Sequence, residues 1–346
     1  MRPDRADTLS VRAPGRLHLG FLDPSGSLGR RFGSVGLVID GYATEIELGA
    51  GERDEVVAVG EAAWAEVGRV EAHIATLRQC TGRLEPLSVR ILRALPAHAG
   101  FGSGTQLALA VGRAFAAWHG LEIGSATLAQ WLGRGLRSGV GIAGFDQGGL
   151  LVDGGPSAQG RPAPLLAQLP LPERWRVIVV EDPRHRGLSG AAERQAIAAL
   201  SPLPRAAAAD LCHQVLMRVL PGAAAGDFEL FAAGVSSMQQ TLGGHFAPAQ
   251  GGTGYTSAAV GHLIEWLGRH VAGGAGMGQS SWGPTGFAIV SSQAAAQSAV
   301  DAARAAGAVA NGLQVRIVSP RRQGAAIQRQ QAGRLAVADA ASPCIG

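Results

Sequence analysis

Lysine is absent from the 346 residues, so all 30 basic side chains are arginines. That absence excludes a Schiff-base lysine and a phosphate loop of the lysine-bearing Walker type. A substrate phosphate must therefore be met by arginine, histidine or backbone amides. Cysteine is scarce too. Cys80, Cys212 and Cys344 are odd in number and far apart, with neither metal-ligand spacing nor a disulfide framework. Aromatic residues make up 5% of the chain and charged residues 16%. The arginines are scattered apart from short pairs such as Arg30-Arg31 and Arg321-Arg322, and no basic stripe carries interleaved aromatics, which argues against nucleic-acid binding. No stretch reaches the ~18 uninterrupted apolar residues of a membrane helix. The opening MRPDRADTLS lacks the apolar segment of a signal peptide. A soluble cytoplasmic protein with no membrane partner is the expectation.

Small and apolar residues are plentiful. Hydrophobic residues reach 47%, enough for a large core, and the length favours two domains over one. The 51 glycines far exceed an average share of ~7% and sit in short clusters, as tight turns and phosphate loops require. A net charge of +4 suits anionic small molecules.

Along the chain, residues 8–11 and 35–48 show the partial alternation of strands, separated by the polar turn Asp23-Pro24-Ser25-Gly26. Trp64, Val67, Val70, Ile74 and Leu77 recur at helical spacing over 61–80. A strand over 87–95 leads through a Gly-rich loop into a helix over 105–118. A second helix is expected over 127–137, and strands over 148–152 and 175–180. The Pro/Gly/Ala-rich segment 154–172 is the linker candidate. Beyond it, helical patterns, a second Gly-rich loop and strands over 287–290 and 314–318 suggest an α+β domain. The expected division is 1–160, 173–320 and a polar tail over 321–346.

Three segments carry the chemistry. The first runs Pro14-Gly15-Arg16-Leu17-His18-Leu19-Gly20. The second, from Pro96 through Gly100-Phe101-Gly102-Ser103-Gly104-Thr105, follows a strand and opens a helix. There glycines admit a phosphate to the backbone, and the helix N-terminus offers amides and partial positive charge. An ordinary turn capped by Ser103 or Thr105 is the competing reading. The third runs from Gly274 to Phe287 through Gln279-Ser280-Ser281-Trp282. Two such loops, one in each half, point to a shared site between them.

In this order the segments resemble the three motifs of the GHMP-kinase superfamily. The second motif departs from the kinase pattern Gly-Leu-Gly-Ser-Ser, and the third is elongated. Both departures point away from kinase activity. With Arg30-Arg31-Phe32-Gly33, Gly144-Phe145-Asp146-Gln147-Gly148-Gly149, Val152-Asp153-Gly154-Gly155 and Gly187-Leu188-Ser189-Gly190, the chain is similar to the β-ribofuranosylaminobenzene 5'-phosphate synthase family. The resemblance implies an α+β two-domain fold, with an N-terminal domain like ribosomal protein S5 and a ferredoxin-like C-terminal domain. It also implies a homodimer, Mg²⁺ and a decarboxylating phosphoribosyltransferase of tetrahydromethanopterin biosynthesis. The substrates would be phosphoribosyl diphosphate and 4-aminobenzoate or 4-hydroxybenzoate.

On that expectation the amides of Gly100, Gly102, Ser103, Gly104 and Thr105 would hold diphosphate, with Arg30 or Arg31 adding a bidentate contact. Asp23, Asp146 and Asp153 are candidate carboxylates for Mg²⁺ or for a cationic sugar centre, with Asp146 and Asp153 favoured for the metal. Asp146 is the preferred catalytic carboxylate, because it falls where many kinases of the superfamily keep their catalytic acid. His18 could bind an anion or shuttle a proton. Arg184, His185 and Arg186 form a cationic loop suited to a phosphate or carboxylate. Gln279, Ser280, Ser281 and Trp282 would shape the substrate pocket. The rival readings are an ATP-dependent small-molecule kinase and a non-catalytic binding protein.

Overall fold

A computed structural model describes residues 7–157, 159–188 and 190–330. Strands β1 (Thr8–Asp23), β2 (Phe32–Ala50) and β3 (Glu55–Ala58) precede helices α1 (Glu61–Trp64) and α2 (Val67–Thr81). Then come β4 (Leu87–Arg93), α3 (Ser103–Trp118), α4 (Ser125–Trp131), α5 (Val140–Asp146), β5 (Leu150–Asp153) and β6 (Leu165–Leu169). The second half contains β7 (Arg176–Glu181), α6 (Gly190–Ala199), α7 (Arg205–Gln214), α8 (Leu220–Ala225), α9 (Phe228–Phe246) and α10 (Ala258–His270). It ends with β8 (Gly276–Gln279), β9 (Thr285–Val290), α11 (Gln293–Ala305), β10 (Gln314–Val318) and β11 (Ala326–Gln330).

Two sheets result. The first runs β11-β1-β2-β4-β3, with β5 paired to β2 and β6 to β5; the second runs β10-β7-β9-β8. Strand alternation decides what each sheet faces. In β7, Val177 and Val179 enter one core while Ile178 and Val180 enter another. In β9, Phe287 and Ile289 divide from Ala288 and Val290 in the same way. The first of these cores also takes Leu17 and Leu19 of β1, Val35 and Leu37 of β2, Trp175, and Phe231 and Val235 of α9. One apolar core therefore runs from the first sheet to the second. A buried hydrogen bond from the Tyr42 hydroxyl to Glu181 spans the same boundary.

Three local expectations change. The 154–172 segment contains β6, which pairs antiparallel with β5, so it is not simply a linker. The stretch expected as a polar tail contributes β11 to the first sheet beside β1, while residues 331–346 lie outside the described residues. The helix expected over 127–137 stops at Trp131, because Gly133 and Gly135 adopt φ of 67° and 80°, a left-handed conformation that ends the helix. Arg134 and Arg137 consequently sit on a loop, and that loop reaches the cleft described next.

Candidate active site

β1 is irregular where it matters. Its pairing with β2 shifts between Pro14 and Arg16 and again between His18 and Gly20. Such bulges re-aim side chains. Leu17 and Leu19 enter the core, while Arg16 and His18 line a cleft.

α3 begins at this cleft without a side-chain cap, so the competing reading of an ordinary turn capped by Ser103 or Thr105 does not hold. α9, α10 and α11, by contrast, are capped by Asp227, Ser257 and Ser292. Its N-cap, Gly102, has φ of 77°, and no acidic residue lies in its first turn. Arginines surround it instead. A Cβ on Gly102 would lie 3.1 Å from the Arg16 guanidinium carbon, and one on Gly104 3.1 Å from Arg134 Nη1 and 3.4 Å from Arg69 Nη2. Glycine thus lets the guanidinium groups close on the helix end, whose amides and dipole favour an anion.

The electrostatics point the same way. Burial pulls Arg16 down to about 10, partly offset by Glu193, and burial followed by the charge of Arg69 lowers Arg134. Arg16 donates Nη1–H to the Gly100 carbonyl at 2.7 Å, but its Nε is buried without a partner. Arg134 Nε and Arg137 Nη1 are likewise buried and unpartnered. Buried donors without partners cost free energy, and clustered like charges add to it, unless an anion satisfies both.

The arginine-lined space has a volume of about 350 Å³ and adjoins a second cavity of about 590 Å³, with Arg16, Thr105, Arg134, Arg137, Glu193 and Ser281 lining both. The larger cavity is aromatic along one side, where His18, Phe21 and Phe32 contribute. The His18 and Phe21 rings lie 4.8 Å apart edge-on, and Phe21 and Phe32 lie 5.2 Å apart. Burial first, then Arg16 and Arg137, holds the His18 pKa well below 6.5, so its imidazole is neutral. The non-glycine residues with positive φ among the described residues are Phe32, His98 and Ser281, and all three line these cavities. Strain of this kind concentrates at functional sites.

The two Gly-rich loops meet backbone to backbone. A Cβ on Gly283 would lie 2.3 Å from the Ala99 carbonyl, and one on Gly187 2.2 Å from the Trp282 carbonyl. Ser280 clasps the loops, donating to the Gly100 carbonyl at 2.8 Å and accepting from the His18 amide at 2.9 Å. Gln279 lines a small neighbouring cavity with Trp282, and its side-chain amide donates to Gln250 Oε1 at 2.7 Å. The structure therefore brings together His18, the Gly100–Thr105 segment, Arg31, Gln279, Ser281 and Trp282, whereas Ser280 stitches the backbone beneath them.

Several expected residues stand elsewhere. Asp146 is exposed, off the cleft walls, and accepts from Ser125 Oγ at 2.5 Å. Asp23 closes its own turn, accepting from the amides of Ser25, Gly26 and Ser27. Asp153 is fully buried, lines none of these cavities and accepts from the amides of Gly139, Val140 and Gly155. Arg30 donates to the Gly155 carbonyl. Arg184 and His185 are held by Asp182, and exposed Arg186 lines none of the three cavities. Ser189 lies outside the described residues.

Arg16 belongs to the first motif but had no role assigned from sequence, and Arg69, Arg134, Arg137, Glu193 and His98 had none either. Among the described residues Glu193 is the one carboxylate on these walls, and it is ion-paired to Arg137. No group of three or more His, Cys, Asp or Glu side chains suited to a metal occurs among the described residues. A Mg²⁺ ion held by protein carboxylates does not fit this donor set.

Residues 68–151 match the GHMP kinases N terminal domain, and residues 219–309 the GHMP kinases C terminal family. A homoserine kinase from Cytophaga hutchinsonii superposes over 95% of this chain and 98% of its own, with a TM-score of 0.63 at 17% identity, a likeness of fold alone. Two relatives named β-ribofuranosylphenol 5'-phosphate synthase align over most of their length. The Archaeoglobus fulgidus protein is 33% identical, covering 83% of this chain and 89% of its own. The Methanothermobacter thermautotrophicus protein is 31% identical, covering 81% and 88%. The chain belongs to this family of enzymes, built on the GHMP-kinase two-domain α+β fold.

Proposed function

We propose that the protein transfers ribose 5-phosphate from phosphoribosyl diphosphate to the carboxylate-bearing ring carbon of 4-hydroxybenzoate, releasing diphosphate and carbon dioxide. The observation that carries this reading is the adjacency of an arginine-lined helix terminus and an aromatic cavity, with shared walls. The first suits a leaving diphosphate and the second a planar acceptor. The relatives' names, ribofuranosylphenol 5'-phosphate synthases, favour the 4-hydroxy over the 4-amino acceptor, because loss of the carboxyl group from 4-hydroxybenzoate leaves a phenol.

The chemistry balances without a net proton. The anomeric C–O bond breaks and its electron pair leaves on diphosphate. The ring carbon supplies the pair for the new C–C bond. The bond to the carboxylate then breaks, returning its pair to the ring as carbon dioxide departs. Guanidinium groups of Arg16, Arg69 and Arg134 and the first amides of α3 are fixed where diphosphate charge develops, so little reorganisation is needed. Neutral His18 offers a hydrogen-bond acceptor to the aromatic cavity without adding a competing positive charge. A Mg²⁺ ion accompanying the substrate would add to the charge stabilisation that Arg16, Arg69 and Arg134 supply, since the described residues of the site form no carboxylate cage for it. The product would feed tetrahydromethanopterin-type cofactor synthesis. The kinase alternative loses support because Asp146, the group that would have assisted a substrate hydroxyl, lies off the cleft.

Parallel reactions with 4-hydroxybenzoate and 4-aminobenzoate test the reading. Faster diphosphate release with 4-hydroxybenzoate is expected. Release with neither acceptor, alongside ATP consumption on a small alcohol, would move the protein to the kinases.

A further inference from the structure

Glu193 belongs to α6, outside the three Gly-rich segments and just after the Gly187–Gly190 segment, and no motif includes it. It nevertheless occupies the most distinctive position in the cleft. Among the described residues it is the one carboxylate on the walls, and it lies on both the arginine-lined and the aromatic cavity. It is 9% exposed. Arg137 Nη2 donates to its Oε2 at 2.6 Å, which fixes the carboxylate in one orientation. Arg137 keeps a second, unpartnered buried nitrogen, Nη1, and so is not consumed by the pair. The charge of Glu193 also acts on Arg16, which lines the same two cavities.

On the transfer reading, a donor with its diphosphate at the α3 terminus and the acceptor ring among His18, Phe21 and Phe32 would bring its anomeric carbon to the walls the two cavities share. Positive charge develops there as diphosphate leaves. We propose, resting on the phosphoribosyl-transfer reading above, that Glu193 is the catalytic carboxylate, stabilising the cationic anomeric centre, with Arg137 as its positioning residue. In a site otherwise crowded with arginine, a cationic intermediate needs one anion of its own. The Arg137 pairing reduces the repulsion that Glu193 would exert on the incoming diphosphate. No covalent bond to Glu193 is required, and no proton moves to or from it.

A kcat-against-binding split tests the role. Phosphoribosyl diphosphate affinity is measured by calorimetry, and turnover by diphosphate release with saturating 4-hydroxybenzoate. Glu193→Gln is expected to lower kcat roughly 100-fold, the scale for deleting one preorganised electrostatic partner of a transition state. Donor affinity should be unchanged or tighter, because a negative charge has left the diphosphate site. Glu193→Asp should recover part of the rate, and Arg137→Gln should weaken donor binding as well as slow turnover. A Glu193→Gln enzyme within threefold of wild-type kcat overturns the proposal. So does one whose rate loss is matched by an equal loss of donor affinity, which would make Glu193 a support for Arg137 only. Wild-type protein that binds phosphoribosyl diphosphate but turns over no benzoate contradicts the transfer reading itself, and the role of Glu193 with it.

Discussion

Arg16 and His18 stand two positions apart on β1, so pleating sends both side chains to the cleft while Leu17 and Leu19 go to the core. That alternation was readable in the sequence and would have marked Arg16 alongside His18. Asp153 shows the opposite limit. Its Val-Asp-Gly-Gly context reads equally well as metal site or turn, and three amides from two separate segments decide for structure. Asp153→Asn should therefore destabilise the fold by roughly 2–3 kcal/mol, since an amide NH₂ would face donors that the carboxylate now accepts. Urea unfolding checks this, and an unchanged midpoint would argue against the role. Gly102 carries a second prediction. With φ of 77° and the Arg16 guanidinium 3.1 Å from any added Cβ, Gly102→Val must distort the loop and displace the arginine. Phosphoribosyl diphosphate binding should weaken at least about 10-fold by calorimetry, matching a strain of 1–3 kcal/mol; unchanged affinity would remove the loop from the diphosphate site.

At the scale of elements, the strand–loop–helix unit ending in α3 was legible, because an apolar strand, clustered glycines and an Ala/Leu-rich run each have a local signature. The loop after α4 was not. Its residues continue a helical pattern, and only Gly133 and Gly135 break it, delivering Arg134 and Arg137 to the cleft. α2 supplies the remaining cation, Arg69, steadied by buried Glu66 at 2.7 Å. One turn further along α2, His73 is buried with an unpartnered Nε2, its pKa lowered from 6.5 to about 4 by burial and then by Arg134 and Arg69. The unfolded chain binds a proton at this histidine below pH 6.5, whereas the folded one does not until about pH 4. Stability is therefore lost as pH falls through that window, by roughly 3 kcal/mol at most. A His73→Leu variant should show a flatter decline in Tm between pH 6.5 and 4 than the wild type. An identical decline would show that His73 does not set the acid limb.

For the whole molecule, the sequence supported an α+β protein in two parts with a shared site. It could not show that the parts share one apolar core, or that the chain returns through β11 to complete the first sheet. Nor could it place Glu193, because the contacts that bring α6 over the cleft are tertiary. The resulting assembly sets five arginines (Arg16, Arg31, Arg69, Arg134 and Arg137) and a helix terminus beside an aromatic wall, with one carboxylate among the described lining residues. On the proposed reading, diphosphate would depart from the sugar and the acceptor would lose its carboxyl group in the same turnover. The most direct measurement supplies purified protein with phosphoribosyl diphosphate, Mg²⁺ and carboxyl-labelled 4-hydroxybenzoate, and counts both products. Carbon dioxide and diphosphate released one for one, and neither without the other substrate, is the expected result. Diphosphate release that is independent of the benzoate, or release of neither product, would contradict the account.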